Sequence, residues 1–373
     1  MTASTLSTPL GPSAQAAYGE LLEVTRHQEL ARSIENLSGS FNRKTVKGIP
    51  YWYYQFTDAG GGLRQIFVGR DDDTLRALVE RAKSRNTLGL DRLAKAAAAL
   101  GCAATTPAHF RIVRRLNEVG FFRAGGVLVG THAFLALGNA LGVAWGDLAR
   151  TQDIDFAHAG TDVAVALPAS LHIATRNALE SLEAGFLPVP GFRPKDKTAT
   201  FLSRSDRQLR VDFLAPMIGG RAAVYAHQTL GVNLHPMRFM EYLLEDIDQA
   251  AVLSAVGAVL INVPDPARYA LHKLLVYADR RLRAPTKAAK DLRQSAALLE
   301  VLADFRSAKI LALWRDLLDR GPGWRSRARI GLRALEELTP ALPVLPAMRE
   351  LLVPRPRAAE SPGRYATKHR KKP

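Results

Sequence analysis

The chain has 373 residues, 47% of them hydrophobic and 23% charged, which suits two or three domains with disorder confined to the ends. Lysine and arginine outnumber aspartate and glutamate by 51 to 35, and the net charge of +16 favours nucleic acid or a nucleotide as partner; a solubility effect or a basic proteome is the alternative. The single cysteine, Cys102, excludes an internal disulfide and a zinc site built from several thiolates. A chain without disulfides is typical of a reducing compartment.

The sequence predicts neither an export signal nor a membrane span. Its first residues lack a basic stretch followed by an apolar one. The apolar run Ala250–Val263 is shorter than the ~18 residues that a span requires. The longer run Val127–Trp145 contains His132, Asn139 and several glycines, which favours a buried strand, turn and helix. We therefore expect a cytoplasmic protein with no membrane partner.

The N-terminal third is expected to be a flexible start followed by helices and a β-hairpin. Residues 1–14 are assigned to the flexible start and residues 15–100 to the helical and hairpin region. A first helix is predicted to end near Asn36, and the acidic residues after Gly69 suit the start of another.

An aromatic hairpin is predicted inside this region. The run Tyr51–Phe56 and the run Arg64–Val68 flank a glycine-rich turn at Asp58–Gly62, which is a hairpin signal. Alternation lets either Tyr51 and Tyr53 or Trp52 and Tyr54 face outward together. Rings beside cations can stack on unpaired bases, although core packing of an accessory hairpin is the simpler account. Together with nearby cations, the rings could form a binding track for RNA. These cations are Arg43, Lys44, Lys47, Arg193, Lys195, Lys197 and those of the basic tail.

The middle region, residues 101–235, alternates helices and strands and is predicted to form a small mixed sheet. Apolar residues at helical spacing, such as Phe110, Val113 and Leu116, identify the first of its helices. The predicted helices are Pro107–Glu118, His132–Leu141 and Ser170–Leu182. The predicted strands are Phe122–Gly130, Gln152–Ala157, Val163–Leu167, Thr198–Ser203 and Gln208–Leu214, the last two pairing as a hairpin.

The last part of the chain is predicted to be a helical domain, residues 236–353, followed by a disordered basic tail, residues 354–373. The fold class expected for the whole chain is α+β. The predicted helices of this domain are Pro236–Asp246, Pro266–Arg281, Lys287–Ala303, Ser307–Leu318 and Trp324–Glu337.

Two aspartates in one predicted strand are the first candidate site residues. Asp153 and Asp155 lie two residues apart, so both carboxylates point to one face while Ile154 and Phe156 face the core. Two carboxylates this close repel each other unless a cation neutralises them, which favours a magnesium site. A D-x-D pattern alone is more often a solvated turn or a strand edge.

A third aspartate and a glycine turn complete the candidate site. Asp212 is the one acid of the apolar strand around Leu209–Leu214, and beside the first strand it would complete a three-carboxylate site for two hard cations. It would act there as a base or as a metal ligand. Upstream, Gly130 and Thr131 lie between a strand and a helix, where a backbone can approach a phosphate.

These motifs in this order resemble the nucleotidyltransferase superfamily that includes polymerase β-like enzymes, and within it the bacterial branch called the GSU-type family. The similarity is carried by GGVLVGTHAFLALGNALGV, RTQDIDFA and LRVDFLAP, supported by KLLVYADRR and KAAKDLRQ. It extends from the aromatic hairpin to the helices near residue 300. It implies a nucleotidyltransferase core between an N-terminal helix and hairpin region and a C-terminal helical domain.

The resemblance also implies a reaction and roles for residues. The reaction is metal-dependent transfer of a nucleoside monophosphate from a nucleoside triphosphate to a hydroxyl, with release of pyrophosphate. Asp153 and Asp155 would ligate both Mg²⁺ or Mn²⁺ ions, and Asp212 the catalytic one. Gly130 and Thr131 would hold the β- and γ-phosphates. Lys273 and Lys290 match nucleotide-binding positions of toxin relatives, although solvent-facing lysines are the plainer reading.

Two departures from the family pattern bear on the nucleotide pocket. The usual Gly-Ser is Gly-Thr here, and Asp153 lies 23 positions after Gly130, a wider spacing than in the minimal enzymes. The pocket is therefore expected to be reshaped. His132 and His272 are expected to be hydrogen-bonded helix residues rather than ligands.

Three functions remain open on these patterns alone. An active nucleotidyltransferase acting on RNA, such as a tRNA end, is favoured, because net charge and the hairpin fit RNA better than a protein or an aminoglycoside. A protein acceptor remains possible, as does a toxin-like or defence role. A catalytically silent nucleic-acid-binding module is the alternative. A kinase-like phosphotransferase ranks last, because neither a P-loop nor a kinase catalytic-loop pattern occurs.

Overall fold

The computed structural model has an α+β architecture with several small sheets and a mostly helical C-terminal part. The residues it describes are 6–35, 39–57, 63–83, 89–149, 151–159, 173, 175–182, 185–189, 197–217, 219–220 and 223–353. Several predictions lie outside these residues. They are the strand Val163–Leu167, the turn Asp58–Gly62, part of the helix Ser170–Leu182, the cations Arg193 and Lys195, and the basic tail.

The elements have the following bounds. The helices are α1 (Pro12–Glu35), α2 (Asp73–Lys83), α3 (Leu90–Ala99), α4 (Pro107–Glu118), α5 (Gly130–Ala140), α6 (Thr175–Glu180), α7 (Met240–Leu243), α8 (Pro266–Arg280), α9 (Pro285–Asp319), α10 (Pro322–Leu338) and α11 (Leu345–Leu352). The strands are β1 (Thr8–Pro9), β2 (Gly39–Val46), β3 (Ile49–Thr57), β4 (Leu63–Arg70), β5 (Gly126–Val129), β6 (Val143–Ala144), β7 (Asp153–His158), β8 (Phe186–Pro188), β9 (Thr200–Ser203), β10 (Arg210–Pro216), β11 (Tyr225–His227), β12 (Val232–Met237), β13 (Ile247–Ser254) and β14 (Gly257–Pro264). A 3-10 turn spans Gly146–Ala149.

The central sheet has the strand order β11–β12–β10–β7–β5. β7 and β10 are parallel, whereas β5 is antiparallel to β7. β9 and β12 share the other edge of β10, β9 pairing with its first residues and β12 with its last. Strict alternation along β7 and β10 turns Ile154, Phe156, Val211 and Phe213 into the core, each fully buried. The opposite face of the same two strands is left for polar side chains.

Several predicted elements are confirmed. α4 has the predicted bounds, because Pro107 occupies its first turn and the Thr106 side chain accepts a hydrogen bond from the His109 N–H. The predicted hairpin of Thr198–Ser203 and Gln208–Leu214 is present as the antiparallel pair β9–β10. The two helices predicted on either side of residue 305 are joined in α9 across a break at Arg306 (φ −132°, ψ 22°).

The prediction of a helix at Pro236–Asp246 is wrong. Pro236 lies in β12, in register with Ala215 of β10, and only the single turn α7 follows, after Phe239 in a left-handed conformation (φ 67°). The segment from Val232 alternates buried and less buried residues, which is a strand pattern that the proline concealed. The apolar run that follows forms the β13–β14 hairpin, so the region after residue 236 is not wholly helical.

In the described part of residues 1–14, which were predicted to be a flexible start, β1 pairs with β6 and α1 begins at Pro12. The predicted aromatic hairpin is confirmed as the antiparallel pair β3–β4. β2 extends it to a three-stranded sheet in the order β2–β3–β4. A two-residue turn, Lys47 (φ 49°) and Gly48 (φ 79°), joins β2 to β3 in a conformation that such tight hairpins favour.

A second core joins the N-terminal helices to the β13–β14 hairpin. It contains Tyr18 of α1, Ala97 of α3 and Leu253 of β13, among other small and apolar residues. The Tyr18 hydroxyl accepts a hydrogen bond from the Ala251 N–H at 3.0 Å. Regions that the sequence suggested as separate therefore share one apolar cluster. No helix within the described ranges is both long and apolar enough to cross a membrane.

Candidate active site

Three aspartates converge on the polar face of the central sheet. Asp212 of β10 is the direct register partner of Asp155 in β7, and Arg210 is the partner of Asp153. Adjacent strands lie about 4.8 Å apart, so Asp155 and Asp212 are lateral neighbours on one face. The structure thus brings together the three carboxylates that the sequence singled out.

Ionisation of the Asp155 carboxyl group is disfavoured at this position. Burial, reinforced by the carboxylates of Asp212 and then Asp153, raises the pKa of Asp155 to about 6. A carboxyl group that resists ionisation beside two others is a position where a bound cation is favourable. Lys273 and Arg280 oppose this shift in the pKa, so positive side chains also lie within electrostatic reach.

Protein cations and a hydroxyl engage the aspartates in this structure. Arg210 donates to both oxygens of Asp212, from Nε to Oδ2 at 2.6 Å and from Nη2 to Oδ1 at 2.9 Å. The Thr200 hydroxyl donates to the same Oδ1 at 2.5 Å. Lys287 Nζ lies 3.6 Å from Asp153 Oδ2.

The donor chemistry fits a hard divalent cation, although the present side-chain arrangement does not form a closed metal cage. Among the described residues, no group of three or more His, Cys, Asp or Glu side chains is positioned as a metal centre. Asp212 is instead paired with the Arg210 guanidinium.

Gly130 is required where α5 begins beside these aspartates. It has a left-handed conformation (φ 63°), and a Cβ built on it would lie 2.2 Å from Asp155 Oδ2. Its carbonyl oxygen accepts a hydrogen bond from the Tyr269 hydroxyl of α8 at 2.7 Å. Thr131 follows in the first turn of α5 and is buried. The start of this helix is therefore held directly against the Asp155 carboxylate.

Lys273, predicted to bind nucleotide, is buried rather than solvent-facing. Its side chain is 11% exposed, and its Nζ lies 2.5 Å from Oδ1 of Asp291 in α9. Burial alone would lower the pKa of Lys273, but the Asp291 carboxylate raises it above its ordinary value. Arg280 binds the other oxygen of Asp291 at 2.9 Å, so Lys273, Asp291 and Arg280 form a charged triad joining α8 to α9.

Further cations border the site from α9. Burial, together with Lys273, lowers the pKa of Lys290, while Asp291, Asp153 and Asp155 oppose the shift, which puts Lys290 within reach of the candidate site. Lys287 is the more exposed of these lysines and faces Asp153. The basic rim thus comes from the end of α8 and the first turns of α9.

Sequence reasoning missed several residues of this site. Arg210 stands two positions before Asp212 on the same strand face, so alternation could have identified it. Thr200 could have been found only by pairing the β9–β10 hairpin in its correct register. Lys287 and Arg280 carried no local signal, because their place depends on how α8 and α9 pack.

Two buried histidines lie beside β7. His132 and His109 pack edge to face, with ring centroids 4.6 Å apart. Burial, and then His109, lowers the pKa of His132 to about 3, and burial lowers the pKa of His109, so both rings are neutral at pH 7. They line a cavity of about 610 Å³ together with Thr151 and Gln152.

The expectation of hydrogen-bonded histidines is only partly correct. His132 is hydrogen-bonded to the backbone of Asp153, but its Nδ1 has no partner among the described atoms. Neither ring nitrogen of His272 has a partner in the described part of the chain. Burial lowers the pKa of His272 to about 3, which keeps this ring neutral next to Lys273.

Comparison with known proteins identifies the class to which this fold and site belong. A sequence profile of the Nucleotidyltransferase family matches residues 108–319, more than half of the chain. The chain therefore belongs to this nucleotidyltransferase family. The match begins at α4 and ends with α9, so it includes the aspartates and the basic rim but not the aromatic sheet β2–β4.

Other comparisons add little. No curated protein matches the chain significantly. The crystal structure of an antigenic nucleotidyltransferase-like protein from Paracoccidioides brasiliensis is similar at 14% identity, over 61% of this chain and 95% of that one, with a TM-score of 0.28. A similarity at this score supports no argument about the site.

Proposed function

We propose that the chain transfers a nucleoside monophosphate from a nucleoside triphosphate to a hydroxyl group of RNA, and that it belongs to the bacterial GSU-type branch of its family. The observation that carries this proposal is the lateral pairing of Asp155 with Asp212 beside Asp153 and the start of α5. A cluster of carboxylates next to a helix N-terminus suits a metal-bound triphosphate, because the acids hold the cation and the helix end favours the phosphates.

The three aspartates would hold Mg²⁺ or Mn²⁺. Bound there, a divalent cation neutralises charge on the triphosphate and makes the attacking hydroxyl more acidic. Asp212 would ligate the catalytic ion or accept the proton of the acceptor hydroxyl, once Arg210 has released it. Arg210 keeps its charge throughout, so it can move from Asp212 to a phosphate oxygen without a change of protonation.

The phosphates would be held by Gly130, Thr131 and the basic rim. Lys287 and Lys290 are the lysines of α9 whose charges face the aspartates. Lys273 is ion-paired with Asp291, so we propose that it acts indirectly, by holding α8 against α9, which carries Lys287 and Lys290. In this respect our proposal for Lys273 differs from the direct phosphate contact that the resemblance implied.

Replacement of Gly130 by alanine is expected to reduce nucleotidyl transfer about 100-fold, because the new methyl group displaces the Asp155 carboxylate. The left-handed backbone adds a stability cost of about 1 kcal/mol. Gly219→Ala is the matched control: Gly219 has a similar φ of 57°, and no atom lies within 4 Å of its added Cβ. Transfer rates and urea unfolding of both variants separate the clash from the backbone strain. Equal losses of activity in the two variants would contradict the role of Gly130.

RNA is the favoured acceptor because the chain carries a net charge of +16 and one sheet carries the exposed Phe67 ring and a lysine beside Tyr53. A protein hydroxyl is the second acceptor that the test below distinguishes. The same test addresses the silent binding module, in which the carboxylates would be dispensable.

The decisive experiment incubates the protein with each labelled nucleoside triphosphate, Mg²⁺ and either total RNA or total protein. Wild type is expected to label RNA with at least one nucleotide. Asp153→Ala, and wild type in the presence of a chelator, are expected to leave RNA unlabelled. Label on protein alone would identify protein, and not RNA, as the acceptor. Equal label with wild type and Asp153→Ala, or binding of RNA without any transfer, would reject the enzymatic proposal.

A further inference from the structure

One face of the β2–β4 sheet carries three neighbouring aromatic rings, of which Phe67 is exposed and Tyr51 and Tyr53 are half-buried. Tyr53 and Phe67 are direct cross-strand partners with ring centroids 5.6 Å apart, and Tyr51 lies 5.7 Å from the same Phe67 ring. Phe67 is 59% exposed. Lys44 places its Nζ 5.6 Å from the Tyr53 ring centre. We call these residues, together with the amides described next, the aromatic face.

Side-chain amides surround the rings. Asn42 and Gln65 both donate to the Gln55 side-chain oxygen, at 3.0 and 2.9 Å, and Lys44 donates to the Gln65 oxygen at 2.7 Å. Amides can exchange such bonds for bonds to the edge of a base. The aromatic face therefore combines flat rings, a cation and hydrogen-bonding groups.

The opposite face of the same sheet is packed and has a structural role. Tyr54 is buried and meets Phe41 edge to face at 5.1 Å. The Trp52 indole N–H donates to Asp71 at 2.8 Å, and Asp71 is also held by Arg76. None of these contacts involves a ring of the aromatic face, so the two faces of the sheet are stabilised by separate sets of contacts.

The described strands β2, β3 and β4 contain cations and no acid. Two of these cations lie by the aromatic face: Lys44 is beside the Tyr53 ring, and Arg70 is the cross-strand partner of Tyr51. Arg43 lies on the opposite face, where it pairs with Asp71. A partner of complementary chemistry is a polyanion with flat groups of its own, which describes a single-stranded nucleic acid.

We propose that the aromatic face binds single-stranded RNA, with bases stacked on Phe67, Tyr53 and Tyr51 and the backbone near Lys44. The inference rests on the proposed function in one respect, namely that the strand is RNA and contains the acceptor. The face lies outside the residues that match the family, so this surface would be an addition to the catalytic core. It would select the acceptor independently of the triphosphate site.

The test measures binding of a fluorescent single-stranded RNA of about 12 nucleotides by fluorescence anisotropy. Phe67→Ala is expected to weaken binding roughly 5- to 100-fold, the range observed for loss of one stacking ring. Phe305→Ala is the matched control, because Phe305 is similarly exposed at 58%, also stands beside an arginine, and lies on α9. It is expected to bind like wild type. Circular dichroism and thermal unfolding verify that both variants are folded.

Several outcomes would overturn this proposal. Absence of binding by wild type, or equal weakening in Phe67→Ala and Phe305→Ala, would remove the aromatic face as a nucleic-acid site. Loss of self-association in Phe67→Ala with unchanged RNA affinity would identify a second copy of the chain as its partner. Asp155→Asn is expected to retain RNA binding. If wild type bound RNA but transferred no nucleotide, the proposed function would be rejected and the RNA-binding proposal would stand.

Discussion

Asp155→Asn is expected to lower nucleotidyl transfer by at least about 1,000-fold while leaving the fold as stable as wild type or more stable. The loss of activity follows from removing the central member of the three carboxylates, the one that adjoins both Asp212 and Gly130. The gain in stability follows from ending the repulsion between a buried carboxylate and its neighbours. Transfer of labelled nucleotide and urea unfolding measure the two effects on the same protein.

Asp304→Asn is the control for this experiment. Asp304 is an exposed aspartate of α9, and its replacement is expected to change neither activity nor unfolding free energy beyond about 0.5 kcal/mol. If Asp155→Asn kept a rate within a few-fold of wild type, the three aspartates would not be the metal site. If it lost activity only because it unfolded, the electrostatic account would be wrong.

Asp291→Ala should destabilise the protein by about 3 to 5 kcal/mol, the usual result of breaking a buried ion pair. Asp291 is 5% exposed and binds both Lys273 and Arg280, so its loss leaves the Lys273 ammonium buried without its carboxylate. Chemical unfolding in urea gives the change in free energy. The double variant Asp291→Ala with Lys273→Met should recover part of this loss, since the stranded charge is removed as well.

The matched control on the same helix is Asp319→Ala. Asp319 is 68% exposed and lies 3.5 Å from Arg325, so breaking this surface pair should change stability by less than about 1 kcal/mol. Similar costs for Asp291→Ala and Asp319→Ala would contradict the view that the triad fixes α8 to α9. A double variant less stable than Asp291→Ala would show that Lys273 stabilises the fold by its packing instead.

The part of the site that follows strand alternation could be predicted from sequence. Asp153 and Asp155 alternate with buried Ile154 and Phe156, and Asp212 stands between buried Val211 and Phe213. This alternation is enough to assign each of these side chains to the polar or the apolar face of its strand. It does not specify which strands are neighbours, because the parallel register of β7 with β10 is set by contacts between distant parts of the chain.

The rest of the site depends on long-range packing. Lys287 reaches Asp153 because α9 returns past the sheet, and Lys273 is buried because Asp291 lies opposite it. No local pattern encodes either relation. The β13–β14 hairpin was missed for a related reason, because Ala250–Val263 is apolar at nearly every position and such a run has no period to distinguish strand from helix.

The shared core of α1, α3 and the β13–β14 hairpin has a consequence for synthesis of the chain. Leu21 of α1 packs in the same cluster as Ala258, a residue made 237 positions later. At about 5 to 20 residues per second, a ribosome needs roughly 10 to 50 s to cover that distance. During this time α3 can cover only part of the apolar side of α1, so the nascent protein is expected to depend on chaperones until the hairpin emerges.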